Sequence, residues 1–190
     1  MPDAMARPRI LRIVDGTPRV VEDDWLLIDG AAEWDAALQD GADRKGADGA
    51  PAGLLLPLEL ALAHADRLPA AGAARACGVR LAPADDPARA VPLFPAIRLI
   101  GVDFPVFTDG RGYSTAVLLR TRLGWRGELR ALGDVLQDQL FAMRRVGFDS
   151  FALRADRDPV AALRGFAVFS DTYQGSVDQP LPAYRRHAAA

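Results

Sequence analysis

Short apolar runs alternate with amphipathic stretches along most of this chain, and the rhythm is clearest from Gly53 onward. Gly53-Leu54-Leu55-Leu56 is strand-length, and a helical stretch from Leu58 to Arg67 follows it. Val79 to Ala82 predicts a second strand and Ile97 to Asp103 a third, the strongest of the set. Glu128 to Leu132 and Phe148 to Leu153 supply the fourth and fifth. Asp85-Asp86-Pro87 and Asp158-Pro159 open helices with proline in the first turn; the later helix carries Val160, Leu163 and Phe166. Strands alternating with helices predict an α/β body over residues 53–190. Its sheet is mainly parallel and built of repeated strand–helix units, as an open sheet or a partial barrel.

Ahead of this body the pattern differs. Residues 1–9 read as a loose tail. Ile10 to Val14 and Arg19 to Glu22 flank the turn Asp15-Gly16-Thr17-Pro18 and form a hairpin or a pair of short strands, with Asp24 to Ile28 as a third. Ala31 to Leu38 forms a short helix, and Asp40 to Ala52 reads as an exposed linker. Residues 1–52 are therefore expected to be a small N-terminal β attachment and its linker.

The densest mixture of glycine and charge lies at 107–149. Asp109, Gly110, Arg111, Gly112, Tyr113 and Ser114 form a turn leading into a helix whose register places Ala116, Leu119 and Leu123 on one side. After the Glu128 to Leu132 strand, Asp134 with Gln137 three residues on fits a capping box. The helix it would open buries Leu136, Leu140 and Met143 and stops at Gly147.

Composition narrows the function classes. A net charge of -2 and a pI near 5.7 argue against a general nucleic-acid binder. Across 109–145, however, Arg111, Arg120, Arg122, Arg126, Arg130, Arg144 and Arg145 stand against only Asp109, Glu128, Asp134 and Asp138. This local positive excess fits an acidic partner or an anionic ligand, or else ion pairs on solvated faces. Cys77 is the only cysteine, which excludes an internal disulfide and an all-cysteine metal or cluster site; it reads as a small buried residue at the end of an alanine-rich helix. His64 and His187 lack metal-ligand companions at close spacing, so no metal site is expected. No cofactor motif is present. No signal-peptide layout and no membrane-length apolar run occurs, so the expected compartment is the cytoplasm, without membrane association.

The rule that ligand sites lie at the carboxyl ends of parallel strands collects Glu59, Asp85, Asp103, Asp109, Arg111, Tyr113, Ser114, Asp134 and Arg154 toward one rim. Asp109 to Ser114 fits an anion pocket for sulfite, sulfate or phosphate, with helix amides donating and Arg111 supplying charge. It equally fits a tight turn in which Ser114 caps the helix and Arg111 pairs with a neighbouring carboxylate. Asp134 fits either a general base or a helix cap. Asp138 and Gln139 fit partner contact or plain solvation. Ser114 lies in no nucleophile elbow, so hydrolysis is not expected.

The run D-G-R-G-Y-S-T-A-V-L-L-R-T-R-L-G-W-R-G-E-L-R-A-L-G-D-V-L-Q-D-Q, followed by R-R-V-G-F-D, resembles the signature of a bacterial family known as domain of unknown function 934. The resemblance spans roughly residues 50–187. Members of that family are often labelled probable oxidoreductases involved in sulfite reduction, because their genes lie beside those for sulfite reductase. The resemblance thus implies an accessory protein of assimilatory sulfite reduction that binds sulfite reductase or its electron donor. The 109–145 surface is the expected contact, with Asp109 to Ser114, Arg120, Arg122, Glu128, Arg130, Asp134, Asp138 and Gln139 as candidates. The alternative is a small-anion-binding α/β enzyme centred on Arg111 and Asp134.

Overall fold

The computed structural model describes residues 8–39, 53–69 and 75–187. The linker expected at 40–52, most of the tail at 1–9 and most of the alanine-rich stretch before Cys77 lie outside the described residues. The strands are β1 (Arg9–Val14), β2 (Thr17–Glu22), β3 (Trp25–Leu27), β4 (Gly53–Pro57), β5 (Ala76–Leu81), β6 (Ile97–Phe104), β7 (Glu128–Gly133) and β8 (Ser150–Phe151). The helices are α1 (Ala31–Gln39), α2 (Leu58–Ala63), α3 (Arg111–Thr121), α4 (Leu140–Arg145), α5 (Pro159–Ala162) and α6 (Ala183–His187). Shorter 3-10 turns include Pro87–Leu93 and Gln137–Gln139.

All eight strands form one sheet in the order β2-β1-β8-β7-β6-β5-β4-β3. β3 through β8 are parallel neighbours in chain order, whereas β1 pairs antiparallel with both β2 and β8. The fold is therefore α/β with a mixed, mainly parallel sheet. The N-terminal strands extend that sheet at both ends: the hairpin joins at β8 and β3 joins at β4. Asp15 and Gly16, at φ 50° and 75°, make the left-handed turn a two-residue hairpin needs.

Chain connectivity forces the sheet to curl. Seven gaps of ~4.8 Å would separate the edges of a flat sheet by ~34 Å. Edge strands β2 and β3 are joined by only Asp23 and Asp24, which span at most ~11 Å between Glu22 and Trp25. The two faces of the curled sheet are correspondingly unequal. Leu54, Leu56, Val79, Leu81, Ile100, Val102, Leu129 and Ala131 point outward into a single core shared with Trp34, Leu58, Leu93, Leu119, Met143 and Phe166 of the helical layer. Leu55, Leu99 and Leu132 point inward, with Trp25 and Ala152 packed against them. Gly53 makes room there, since a Cβ would lie 2.4 Å from the Trp25 ring.

Three local expectations change. Cys77 is in β5, not at a helix end, because it pairs with Leu54 of β4 and Ile97 of β6; burial pushes its thiol up to about 11. The fifth strand shortens to Ser150–Phe151, because the chain turns away so that the Arg154 amide can bond to the Val135 carbonyl. The capping box forms two residues later than expected: Gln139 accepts the Leu136 amide at 2.9 Å, and Asp134 is left outside the helix for another use.

Candidate functional site

Alternation along β7 places Glu128 and Arg130 on the inner face beside Leu132. Arg130 is fully buried and donates to Asp23 at 2.7 Å, Glu128 at 2.8 Å and Ser150 at 3.2 Å. Ser150 donates in turn to Glu128 at 2.5 Å, and Arg12 approaches the same carboxylate at 3.5 Å. Burial pushes the Glu128 carboxyl up, but Arg130, Arg12 and Ser150 together outweigh it and hold it below the usual range. Because Asp23 belongs to the two-residue link between the sheet edges, this cluster fastens the curl. Two residues expected at a binding surface thus serve the interior.

Arg120 has a similar fate. It donates to the carbonyls of Gly147 (2.9 Å), Trp125 (3.0 Å) and Gly127 (2.9 Å), and it pairs with Asp149. Asp149 also accepts the Leu129 amide at 2.9 Å. One guanidinium therefore ties α3 to the β7 entry and to the turn before β8.

At the strand-end rim, the expected residues are distributed over separate local contacts. Glu59 pairs with Arg89, and Asp85 accepts the Ala82 amide at 2.7 Å. Asp109 and Arg111 bond to each other at 2.6 Å, which holds the Asp109 carboxyl below its usual range. Gly110, the residue before α3, contributes no side-chain cap; Ser114 lies inside the helix, exposed, and caps nothing. Gly112 packs against Phe104, since a Cβ there would fall 2.4 Å from that ring, and Tyr113 meets the same ring edge-on at 5.6 Å. Asp134 pairs with Arg154 at 3.0 Å and accepts the Phe107 amide at 3.0 Å. Asp138 is exposed, whereas Gln139 is buried and donates to the Phe107 carbonyl at 2.8 Å.

What the rim does bring together is Asp29, Arg80 and Asp103. Arg80 pairs with Asp29 at 2.6 Å and lies 3.9 Å from Asp103, whose carboxyl is raised by burial despite that arginine. Asp29 and Arg80 were absent from the sequence expectation. For Arg80 the signal was period two, since it alternates with the outward Val79 and Leu81; Asp29 lies in the connection before α1 and carried none. Among the described residues, no group of histidine, cysteine and carboxylate side chains is arranged to hold a metal ion.

Two concavities run along the exposed side of α3. A cavity of about 610 Å³ is lined by Val117, Arg120, Thr121 and Arg126 on one wall and Gly175, Ser176, Val177 and Pro180 on the other. A second, of about 400 Å³, runs past Tyr113, Ser114, Val117, Leu118, Thr121, Arg122 and Val146. Val117 and Thr121 border both, so the two form one groove along the helix. The C-terminal segment is pinned as its wall: Ser176 Oγ donates to the Arg145 carbonyl at 2.8 Å, and Asp178 lies 3.6 Å from the Arg145 guanidinium. Arg122 and Arg126 are exposed, and their side chains have no hydrogen-bond or ion-pair partner among the described residues. Sequence reading located the helix and its arginines but not the opposite wall, which is brought in from more than fifty residues downstream.

No helix among the described residues is long and apolar enough to cross a membrane. No curated protein matches the chain. Residues 78–184, more than half of the chain, match the family described as bacterial protein of unknown function (DUF934). That match runs from within β5 into α6 and contains the whole motif, β7 with its interior arginine and both walls of the α3 groove; the chain belongs to this family.

Proposed function

We propose that this chain is a cytoplasmic accessory protein of assimilatory sulfite reduction, which docks through the α3 groove onto an acidic face of sulfite reductase or of its electron donor. The sulfur-metabolism context comes from the family resemblance, and the mode of action comes from the groove. The observation that carries the mode is the fate of the motif's charges. Asp109, Arg111, Arg120, Glu128, Arg130 and Asp134 all have intramolecular partners, whereas Arg122 and Arg126 border the groove with none among the described residues. Arginine beside an apolar, half-open groove suits recognition of surface carboxylates better than turnover of a small substrate.

Arg122→Glu/Arg126→Glu should therefore weaken binding to purified sulfite reductase or its donor by at least ~10-fold, because like charges then face each other across the contact. Thermal stability should stay within ~2 °C, since both side chains are solvated. Binding that is unchanged in the double variant would count against the docking face.

A second reading, a small-anion-binding enzyme at the strand-end rim, has one observation in its favour. Arg80 lies between Asp29 and Asp103 on that rim, with Asp103 partly buried. Saturable binding of sulfite, sulfate or phosphate that disappears in Arg80→Ala would move the assignment there.

A further inference from the structure

Among the described residues, the chain adds nothing to the buried core after Phe166. From Ala167 to Arg186 not one residue is buried, and Val168, Phe169, Tyr173, Leu181 and Tyr184 are each more than half exposed. Residues 171–187 fold back on themselves instead. The Ala183 amide donates to the Tyr173 carbonyl at 2.9 Å, and Arg186 donates to Asp171 at 2.7 Å and to the Thr172 carbonyl at 2.9 Å. The Tyr173 and Tyr184 rings lie 6.2 Å apart, and the Ser176 amide closes the tip by donating to the Gln179 carbonyl at 2.8 Å. These contacts join the two ends of a compact surface loop, as in an Ω-loop.

The polar ties from this loop to α4 converge on Arg145. Its carbonyl accepts the Ser176 hydroxyl at 2.8 Å and the Asp178 amide at 3.2 Å, while its guanidinium donates to the Gln174 carbonyl and lies 3.6 Å from the Asp178 carboxylate. The Arg145 Nε is buried without a hydrogen-bond partner, so this ion pair is not drawn fully closed. The loop stands off the body on both sides of the tie. The 610 Å³ cavity separates it from α3, and another of about 180 Å³, with Phe141, Arg144 and Phe166 facing Thr172 and Gln179, separates it from α4. Just ahead of the loop, Phe169 rests edge-on against Phe141 at 5.2 Å and holds the end from which the loop can swing.

A segment with its own internal bonds, no buried side chain and its polar ties gathered at one residue opens at a much lower free energy than a core strand. We infer that residues 171–187 are a clasp, which swings from Ser170 as a unit when the Arg145 tie releases and thereby removes or restores one wall of the α3 groove. Arg145 is its positioning residue. The clasp's part in binding rests on the docking reading above, whereas its opening does not.

Hydrogen exchange of the full chain, followed amide by amide by NMR, tests this. The Asp178 amide, whose bond crosses to Arg145, should exchange at least ~100-fold faster than the Ala152 amide, which bonds to Ala131 of β7 at 2.9 Å, yet at least ~10-fold slower than in an unstructured peptide. Ser176→Ala removes one tie and should lower the protection of Asp178 about 5-fold while leaving that of Ala152 unchanged. If Asp178 is protected as strongly as Ala152, the loop opens only with the whole molecule and the clasp is overturned. Absence of any protection at Asp178 overturns it too, since the closed state would not exist, and so does an equal loss at Ala152 in the variant. Saturating purified sulfite reductase should raise the protection of Asp178 in the parent chain. Opening that does not respond to the reductase would support the clasp and count against the docking reading alone.

Discussion

Arg130→Ala should lower the stability of this protein by about 3–5 kcal/mol, the range for removing one partner from a buried charge cluster. In a chain of this size that corresponds to a fall in melting temperature of roughly 10 °C. The cause is not the missing arginine alone. Its guanidinium is fully buried and faces Asp23 and Glu128, so truncation leaves two carboxylates inside the curl without their main cation. Arg12, at 3.5 Å from Glu128, compensates only in part.

The sign of the pH dependence checks this explanation. In the parent protein the Glu128 carboxyl is held below its ordinary value, so its contribution is present above the unfolded glutamate pKa of ~4.3 and is lost as pH falls through the lower folded value. In Arg130→Ala the burial that pushes this carboxyl up is no longer outweighed. Protonation then relieves the folded state, and the gap between variant and parent should narrow on acidification. Denaturant unfolding at pH 7 and pH 4 measures both quantities. A gap independent of pH would mean that Arg130 acts by packing alone.

Arg120→Ala is the second large effect, at about 3 kcal/mol. It removes charged hydrogen bonds to three backbone carbonyls and leaves Asp149, whose carboxyl burial already pushes up, without its ion pair. Arg120→Lys should recover little, because an ammonium cannot reproduce the planar fork that reaches Gly147, Trp125 and Gly127 together. Thermal melting of both variants beside Arg122→Glu/Arg126→Glu separates the arginines of one motif by role. Arg120 should be costly to stability, and the other two nearly silent. Equal losses from all three would dissolve the distinction on which the docking face rests.

Much of the local structure was legible because its causes are local. Short apolar runs located β1, β2, β4 and β6, alternation located β7, helical spacing located α3, and the caps at Asp86 and Asp158 are where Asp-Pro pairs predict them. What was not legible depends on distant partners. Strand alternation puts Glu128 and Arg130 on a face opposite Leu129 and Ala131, but that this face is buried follows from the curl. The curl follows from β3 joining β4 in parallel, when Asp24 to Ile28 could as well have extended the hairpin. Asp134 reads as a cap because Gln137 lies three residues on. It is released from that role because Gln139 supplies the cap, and the Phe107 loop and Arg154 then claim its carboxylate. The groove was half legible: its α3 wall sits in the motif, while its other wall, Gly175 to Pro180, carries no periodic signal.

Hydrogen–deuterium exchange of this chain with and without purified sulfite reductase tests the central claim most directly. Docking through α3 should slow exchange in the 105–126 and 174–181 segments and leave the Arg80 and Asp103 strands unchanged. Slowing confined to β5 and β6 at the strand-end rim, or none at saturating reductase and donor, would contradict it.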